Sequence, residues 1–451
     1  MVAITVSADE SQALRARHPE IFRKEPLRQL IAPLAVAATL GYFVFCFFFF
    51  NVPTVFSEGK WERAGTYMAD WVSWEATPRF RFEGDGINLE WTRSLLGENP
   101  EPDWIEQRSQ RSYAVTFGDA GDRVEIGPGN VVIFVDGAGY RVPISDAGAA
   151  LPENAPANVS IKKGRVTVDY GFIGEAEIRN TQVYVRRRFL GWPNFFFDTK
   201  SPFFGMSPGE VWASVTAGPQ IDERVPNWQL AISEFLYNTE WQHLDVFNKL
   251  LQTIVMAFVG TLFAGILAFP LCFIAARNIN PNRLGNWLMK RGFDFLRSVD
   301  MLIWALFFTR GFGPGPISGI AAIFFTDTGT LGKTYTEAIE NIDDKQREGV
   351  RSVGASPAIV QRYGVVPQVL PVFLSQALYF WESNTRSATV IGAVGAGGIG
   401  LKLIEAMRTN QDWENVAYMV LLILVVVFVF DNISNALRSR LIGRASVTES
   451  R

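Results

Sequence analysis

The sequence predicts a mainly α-helical, polytopic membrane protein with about six transmembrane helices and an inserted β-rich extracytoplasmic domain. Three observations lead to this fold class. Apolar residues gather into long runs, basic residues gather in alternate connecting segments, and the long segment after the first run alternates apolar and polar residues. The first two features define membrane spans and their orientation, and the third defines a domain outside the membrane.

Three of the apolar runs are long, free of charge and suited to a hydrocarbon core of about 30 Å. Three weaker segments, interrupted by charged or polar residues, lie between the second and the last of these runs. The six predicted spans are 30–50, 250–276, 295–308, 317–325, 369–399 and 417–430. We interpret the first as an uncleaved helix and not a signal peptide, because it is too long and no small-residue cleavage site follows Phe50.

Basic residues orient these spans. With six spans, every basic cluster falls on one side of the membrane, which marks the cytoplasmic side. The clusters are Arg15, Arg17, Arg23, Lys24 and Arg28; Arg277, Arg283, Lys290 and Arg291; Lys345, Arg347, Arg351 and Arg362; and Arg438, Arg440 and Arg444. Both termini are therefore predicted to be cytoplasmic. The predicted domains are a cytoplasmic segment 1–29, a first helix 30–50, an extracytoplasmic insertion 51–243, a helical core 244–440 and a cytoplasmic tail 441–451.

The middle of the insertion, about 112–188, predicts β-structure. Its strand-like runs are 112–117, 122–126, 130–136, 140–144, 159–162, 165–170, 172–179 and 182–188. Val166, Val168 and Tyr170 alternate with polar residues, as in a half-buried strand. Runs of this length and spacing favour a small antiparallel barrel or sandwich of about 100 residues. The Trp-rich flanks, 52–110 and 189–243, stay unassigned, because Trp near spans marks either an interfacial belt or a core.

The segment from Glu348 to Pro367 carries a recognisable motif. Gly354 suits a tight turn between two short helices, and Pro367 suits the first turn of the next helix. The pattern resembles the EAA loop of ABC import permeases, although Gly349 and Val350 stand where that family usually has two alanines. The resemblance implies that about 340–367 is a coupling loop that docks on an ATPase. Its implied coupling residues are Glu348, Gly349, Gly354 and Pro367.

Two glycine patterns imitate nucleotide-binding motifs. Gly395 to Gly400 matches G-x-G-x-x-G, but it ends a predicted span and does not link a soluble strand to a helix. We expect the glycines here to permit close helix packing or a helix break; they are Gly392, Gly395, Gly397, Gly398 and Gly400. The string from Gly329 to Thr334 resembles the end of a P-loop, but Asp327 occupies the position of its first glycine. The chain is therefore predicted to lack an ATP-binding motif and not to be an enzyme.

Residues from about 247 to 437 resemble the permease subunit of phosphonate ABC importers. Strings that carry the resemblance are TIVMAFVGT from Thr253, AARN from Ala275, DTGTLGK from Asp327, RYGVVPQVLP from Arg362 and NTRSATVIGAVGAGGIG from Asn384. The resemblance implies the ABC importer permease fold in a bacterial inner membrane, and transport of phosphonate or a related phosphorus oxyanion. It also implies a second permease subunit, identical or paralogous, two cytoplasmic ATPase subunits that hold ATP and magnesium, and a periplasmic binding protein. No cofactor, metal or nucleic acid is expected on this chain.

Ionisable groups inside predicted spans are candidates for the substrate pathway. Arg386 has a planar set of donors that suits a phosphonate, and Glu382 lies one turn away on the same helical face. The alternative that Glu382 only neutralises Arg386, so that two helices are held together, stays open. Asn384, Asp327 and Lys333 complete the candidate set.

Two other classes of function also stay open. A polytopic membrane enzyme would need a catalytic site in the insertion, where no obvious catalytic set is found. A secondary transporter or channel would leave the EAA-like loop without a use, and the spans show no repeat of halves. His18 and His243 fall in different predicted compartments, while Cys46 and Cys272 fall inside spans, so neither pair predicts a catalytic, zinc or disulfide site.

Overall fold

The computed structural model describes residues 17, 26–59, 61–84, 86–91, 95–97, 100–109, 111–118, 121–145, 148–409 and 413–449. Most of the predicted N-terminal segment 1–29, including Arg15, Arg23 and Lys24, lies outside the described residues, as do the last two residues of the predicted tail. The chain forms two compact units, 1–67 and 68–451. In the first unit, α1 (Pro26–Phe49) and α2 (Val52–Glu58) are followed by the start of α3 (Trp61–Asp70).

The β-rich insertion is confirmed, and it begins earlier than the predicted core. Its strands are β1 (Ser73–Ala76), β2 (Pro78–Glu83), β3 (Gly86–Trp91), β4 (Ile105–Ser109), β5 (Ser112–Thr116), β6 (Arg123–Gly127), β7 (Asn130–Val135), β8 (Ala138–Val142), β9 (Ile144–Ser145), β10 (Gly148–Ala149), β11 (Val159–Lys162), β12 (Arg165–Asp169), β13 (Gly174–Ile178) and β14 (Gln182–Leu190). Each of the eight predicted runs coincides with one of these strands. The strands β1 to β4 fall in the flank that the sequence left unassigned.

Two antiparallel sheets enclose one apolar core in the described part of the insertion. One sheet has the order β11-β12-β13-β14-β2-β3, with β1 also paired to β14, and the other runs consecutively from β4 to β8. Phe117 stacks on Tyr170 with 4.3 Å between ring centroids, and Phe80 lies 5.3 Å from Tyr113, so residues of the two sheets meet in the middle. The arrangement is a sandwich, one of the two architectures predicted.

The helical part of the second unit follows the insertion. Its helices are α4 (Pro208–Thr216), α5 (Asn227–Leu236), α6 (His243–Ala275), α7 (Arg283–Ser298), α8 (Met301–Phe312), α9 (Pro316–Glu340), α10 (Asp344–Ser352), α11 (Pro357–Val360), α12 (Val366–Ile391), α13 (Gly398–Thr409) and α14 (Trp413–Glu449). Single π-helical turns, Gln361–Val365 and Gly392–Ala396, lie on either side of α12. Close packing joins α6 to α9, where a Cβ atom at Gly260 would lie 2.7 Å from Ile323.

Four helices are long and apolar enough to cross a membrane among the described residues: Ile31–Phe49, His243–Ala275, Pro357–Ala396 and Trp413–Leu441. The predicted span 295–308 is wrong as a continuous helix, because the chain breaks at Val299 and Asp300. The Asp300 side chain accepts a hydrogen bond from the N–H of Leu302 and so caps a new helix, α8, of 12 residues. The predicted span 317–325 is the apolar part of the 25-residue α9. The count of six spans stays a prediction.

Candidate transport pathway and coupling segment

The EAA-like loop folds as two short helices joined by a glycine turn. Gly354 has φ +80°, in the left-handed region. Its N–H donates to the carbonyl of Arg351, and this hydrogen bond closes the turn at the end of α10. A residue with a Cβ would strain this conformation, which explains why glycine is needed here. Pro367 lies in the first turn of α12, as the sequence suggested. We name the stretch Asp344–Val365 the coupling segment.

The coupling segment is anchored on one side and exposed on the other. Arg347 bonds Asp344 at 2.8 Å and donates to the carbonyl of Asn278, beyond the end of α6, also at 2.8 Å. A Cβ at the buried Gly364 would lie 3.2 Å from the Cα of Arg347, so the π-helical turn packs tightly against α10. The same segment also carries the exposed apolar side chains Val353, Ile359 and Tyr363. Exposed apolar groups of this kind suit a docking surface for another protein.

Glu348 and Gly349 lie on the exposed side of α10. The Glu348 carboxylate forms no hydrogen bond or ion pair with the part of the chain that the structure describes. It is therefore available to a partner. Gly349 has no atom within 4 Å of the position of a Cβ, so an alanine would fit there.

A polar centre lies in the middle of the helical bundle and joins three helices. The Asp327 carboxylate on α9 accepts hydrogen bonds from Thr261 of α6, at 3.1 Å, and from Asn384 of α12. Asn384 also donates to the Thr261 hydroxyl at 2.7 Å. Asp327 is only 2% exposed, and the other two side chains are equally buried. The structure thus brings two predicted pathway residues, Asp327 and Asn384, into one buried cluster.

Lys333, a third candidate, lies away from this centre. Its ammonium binds the Asp294 carboxylate of α7 at 2.9 Å, and Arg291 and Arg297 surround the same carboxylate. Nearby, Lys290 of α7 bonds Glu340 of α9 at 2.7 Å. The two lysine pairs fix α7 against the second half of α9, which gives Lys333 a packing role in this structure.

Arg386 and Glu382 do not pair with each other, so the alternative in which Glu382 neutralises Arg386 is not the arrangement in this structure. Arg386 instead reaches Asp431 of α14, with 3.6 Å between Nη2 and Oδ1. Glu382 binds Arg438 of α14 at 3.2 Å. Both residues face α14, which runs antiparallel to α12 and carries a residue of opposite charge next to each of them. Each therefore pairs with α14 and not with the other residue one turn away on α12. Sequence reasoning missed Asp431, which falls just beyond the last uncharged run, and used Arg438 only as a basic residue that marks the cytoplasmic side.

The two ion pairs differ in exposure and in geometry. The Glu382 side chain is 13% exposed, and its partner Arg438 also donates to Asn435 at 2.7 Å. The Arg386 side chain is 59% exposed, and its contact with Asp431 is too long for a hydrogen bond. The first pair holds α12 to α14, whereas the second leaves most of the guanidinium donors of Arg386 available.

The glycine-rich stretch after α12 breaks the helix and lets it approach its neighbours. Gly395, Gly397 and Gly398 have φ of +101°, +83° and +69°, which end α12 and start α13 in a new direction. Gly392 and Gly400 allow close backbone contact: a Cβ at Gly400 would lie 1.9 Å from the carbonyl oxygen of Thr389. A dinucleotide site needs a strand directly before its glycines. Here a helix and a π-helical turn lead directly into them, so the stretch lacks that setting.

An aromatic cluster joins the insertion to the helices, and little in the sequence pointed to it. We name it the aromatic junction: Trp192, Phe195, Trp241, His243 and Tyr418. His243, at the start of α6, lies with Nε2 2.7 Å from the Phe195 carbonyl and Nδ1 2.9 Å from the Tyr418 hydroxyl. Because the carbonyl can only accept, Nε2 donates to it and Nδ1 accepts from the tyrosine. Trp192 and Trp241 of the second Trp-rich flank therefore pack at the starts of α6 and α14, whereas Trp212 and Trp228 of the same flank are exposed.

The aromatic junction and the coupling segment lie at opposite ends of α6. His243 begins this 33-residue helix, and Asn278, which accepts the hydrogen bond from Arg347, follows its end. A helix of that length extends for about 50 Å. The insertion and the predicted ATPase surface are therefore separated by the full helical bundle.

Comparisons with known proteins show what the helical part of the chain is similar to. Residues 268–443 match the family described as binding-protein-dependent transport system inner membrane component. A phosphite transport system permease protein of Stutzerimonas stutzeri is 39% identical over 191 residues, which cover 42% of this chain and 69% of that protein. A permease protein named for a cryptic phosphonate transport system of Escherichia coli is 48% identical over 121 residues, or 27% of this chain and 98% of the relative.

A third relative is matched over a similar share of this chain but over less of its own length. A phosphate-import permease protein of Mycolicibacterium smegmatis is 34% identical over 199 residues, which cover 44% of this chain and 37% of that protein. Permeases of this kind are not enzymes and act with a separate ATPase subunit and a binding protein, which favours a permease over the alternative of a membrane enzyme. The phosphite permease of Stutzerimonas stutzeri is matched over 69% of its length at 39% identity. The chain therefore belongs to the family of binding-protein-dependent inner-membrane components, the permease subunits of ABC importers.

Proposed function

We propose that this permease carries a phosphorus oxyanion, such as phosphite, phosphonate or phosphate, and that Arg386 is the cationic group of its pathway. The observation that carries the proposal is the exposure of this arginine on α12, a helix long and apolar enough to cross a membrane. The relatives support the same class of substrate, because their names refer to phosphite, phosphonate and phosphate.

The depth of Arg386 can be read from its neighbours. Asn384, two residues earlier, bonds Asp327, which lies about midway along α9. Arg386 is therefore close to the middle of the bundle. A charged side chain that is 59% exposed at this depth would be costly against lipid, so this face of α12 is expected to meet water or another protein.

The same face of α12 is polar along much of its length. Gln376, Tyr379, Ser383 and Arg386 recur at intervals of three or four residues, which places them on one side of a helix. All four are partly or largely exposed. A polar stripe along a membrane-spanning helix indicates contact with an aqueous path. The Arg386 guanidinium in this stripe can bind a tetrahedral oxyanion through paired hydrogen bonds.

The partners follow from the family and the exposed surfaces. We infer a transporter of two permease subunits, identical or paralogous, and two ATPase subunits that dock on the coupling segment through Glu348 and its apolar neighbours. ATP and magnesium would bind to those ATPases, and a periplasmic binding protein would deliver the anion. Both termini and the coupling segment would then be cytoplasmic, and the β-sandwich extracytoplasmic, in agreement with the distribution of basic residues.

The proposal is tested by substitution of Arg386 in the complete transporter reconstituted into proteoliposomes. We expect Arg386→Ala to reduce uptake of labelled phosphate, phosphite and methylphosphonate by at least about tenfold, because one charge-assisted pair of hydrogen bonds is lost. Arg386→Lys should retain only part of the uptake, since lysine cannot form the planar fork. Arg81→Ala is the matched control, because Arg81 is a similarly exposed arginine in an ion pair, with Glu90 at 3.3 Å, on the β-sandwich. Uptake by Arg386→Ala at the level of that control would refute the assignment.

A further inference from the structure

Asp431 occupies an unusual position for a charged residue. Its Oδ1 atom is shut off from solvent and accepts no hydrogen bond from the residues that the structure describes, and the facing Arg386 nitrogen is 3.6 Å away. The side chain as a whole is 38% exposed. The carboxylate therefore neutralises Arg386 through space without holding it by a hydrogen bond.

The neighbouring pair on the same two helices gives a direct comparison. Glu382 and Arg438 are more buried, approach to 3.2 Å and form a hydrogen bond. Arg438 is also held by Asn435 and lies over the Tyr379 ring. The packing of α12 against α14 therefore permits a hydrogen-bonded ion pair. The longer distance without a hydrogen bond is specific to the exposed Arg386–Asp431 pair.

We infer that Asp431 is an internal counter-ion that competes with the transported anion for Arg386. This inference rests on the proposed function of Arg386. When no anion is present, Asp431 neutralises the guanidinium. An incoming oxyanion takes the free N–H donors of Arg386, and the nearby carboxylate repels it.

The consequence is weak, reversible binding inside the bundle. A bare arginine at this depth would hold a doubly charged oxyanion more tightly, since its charge is only partly screened there. Asp431 opposes that attraction and lets the anion leave. The residue thus sets the affinity of the pathway site, while Arg386 supplies the attraction.

The test measures anion affinity directly. The purified full-length permease in nanodiscs of zwitterionic lipid is titrated with labelled inorganic phosphate and with phosphite in equilibrium dialysis. Removing the repelling charge in Asp431→Asn should tighten binding by about tenfold, the change expected from a single nearby charge in a partly screened site. In the assembled transporter the same variant should pass anion more slowly at saturation, because release becomes slower.

Two further variants make the result specific. Glu90→Gln removes a carboxylate of matching exposure from an arginine pair on the β-sandwich and should leave anion affinity unchanged. Asp431→Glu keeps the charge and brings it closer to Arg386, so it should weaken anion binding; this variant also serves if Asp431→Asn does not fold. Size-exclusion elution and co-purification with the ATPase confirm folding in each case.

The outcomes separate this inference from the proposed function. If Arg386→Ala abolishes binding and uptake but Asp431→Asn leaves affinity unchanged, the counter-ion role is refuted and the pathway role of Arg386 stands. An equal rise in affinity for Glu382→Gln would also refute it, because general loosening of α12 and α14 would then be the cause. Wild-type binding and uptake in Arg386→Ala would instead remove the proposed function of that residue.

Discussion

At the residue scale, the buried centre formed by Asp327, Thr261 and Asn384 is expected to hold the bundle together. Asp327→Ala would leave two buried donors unpaired, each at a cost of about 1–3 kcal/mol. We predict a clear fall in the unfolding temperature of the detergent-solubilised protein, and a smaller fall for Asp327→Asn, which can still accept one of the hydrogen bonds. Wild-type stability combined with lost uptake in Asp327→Ala would show instead that the carboxylate serves the pathway.

Asp198 gives a prediction for pH at the same scale. Its carboxylate, buried near the aromatic junction, accepts the hydroxyl of Thr239 at 2.7 Å and the N–H groups of Thr239 and Lys200. Burial raises the pKa of Asp198, but these hydrogen bonds outweigh burial and hold the pKa below its usual range. The charged form is therefore stabilised by folding. The stability it contributes is present above the unfolded pKa of about 3.9 and is lost as pH falls through the folded pKa.

The measurement for Asp198 compares wild type with Asp198→Asn. At pH 7 the variant should unfold at a lower temperature, with a loss of about 2 kcal/mol expected from hydrogen bonds to a charged group. The difference should shrink as the pH is lowered below 4, because the wild-type carboxylate is then protonated. Intrinsic tryptophan fluorescence, to which Trp192 and Trp241 contribute, reports the transition. A difference that persists unchanged at low pH would contradict the ionic origin of the stabilisation.

The residue scale also shows where sequence reasoning ended. Arg386 and Asn384 could be predicted, because a polar group inside an apolar run is conspicuous. Their partners could not, since Asp431 lies 45 positions further along the chain and meets Arg386 only after two antiparallel helices pack. His243 was visible as a lone histidine, but its double hydrogen bond depends on a carbonyl of Phe195 that no sequence pattern marks.

At the element scale, the coupling segment tests whether backbone shape or side-chain chemistry makes the docking surface. Gly354 has φ +80° and no atom within 4 Å of the position that a Cβ would occupy, so Gly354→Val acts only through the turn. A left-handed conformation costs a non-glycine residue about 1–2 kcal/mol, and more for a β-branched one. We predict reduced co-purification of the ATPase and reduced uptake, with an unchanged unfolding temperature of the helices.

Gly292 on α7 is the matched control for that substitution. It is exposed, has room for a Cβ and lies within a helix, so Gly292→Val introduces the same side chain without reversing the backbone. The control should keep normal ATPase co-purification. If Gly354→Val behaves like this control in both assays, the turn does not determine docking.

Elements were predictable where their residues satisfied local rules. The alternating strands of the sandwich and the turn at Gly354 follow from such rules, and their bounds agree with the sequence within a few residues. The span 295–308 failed because an apolar run does not reveal a helix break, whereas the capping carboxylate of Asp300 creates one. The presence of Asp300 within a predicted span was the feature of the sequence that could have indicated this helix break.

At the scale of the whole molecule, the extent of the insertion depends on strand pairs that are distant in sequence. The strand β14 pairs with β2 and with β1, more than 100 positions earlier, so the predicted β core of 112–188 is only part of the sandwich. The earlier strands are short and include charged residues on their outer face, which hid them from a search for regular alternation. Phe80 and Ile87 are nevertheless buried in the shared core.

This pairing defines where the sandwich can be removed. Ser73 and Leu190 are register partners at the two ends of the domain, and the N–H of Gly191 donates to the carbonyl of Val72 at 2.8 Å. A short Gly-Ser linker could therefore join Val72 to Gly191 without stretching the chain, whereas a cut at 112–188 would remove most of β14, the strand that pairs with both β1 and β2. The aromatic junction follows Gly191 and would stay in place.

We predict that the variant lacking 73–190 inserts into the membrane and co-purifies with the ATPase at the wild-type level. The reason is distance, because the coupling segment lies at the far end of α6 from the junction that carries the sandwich. The 112–188 deletion is the control and should be unstable, since it exposes the core faces of β1 to β3. Loss of ATPase co-purification in the 73–190 deletion would show that the sandwich is needed to fold the helices. Uptake by that variant at ordinary concentrations of the binding protein would exclude an obligatory docking role, and would leave the sandwich as a structural collar near the first turns of α6 and α14.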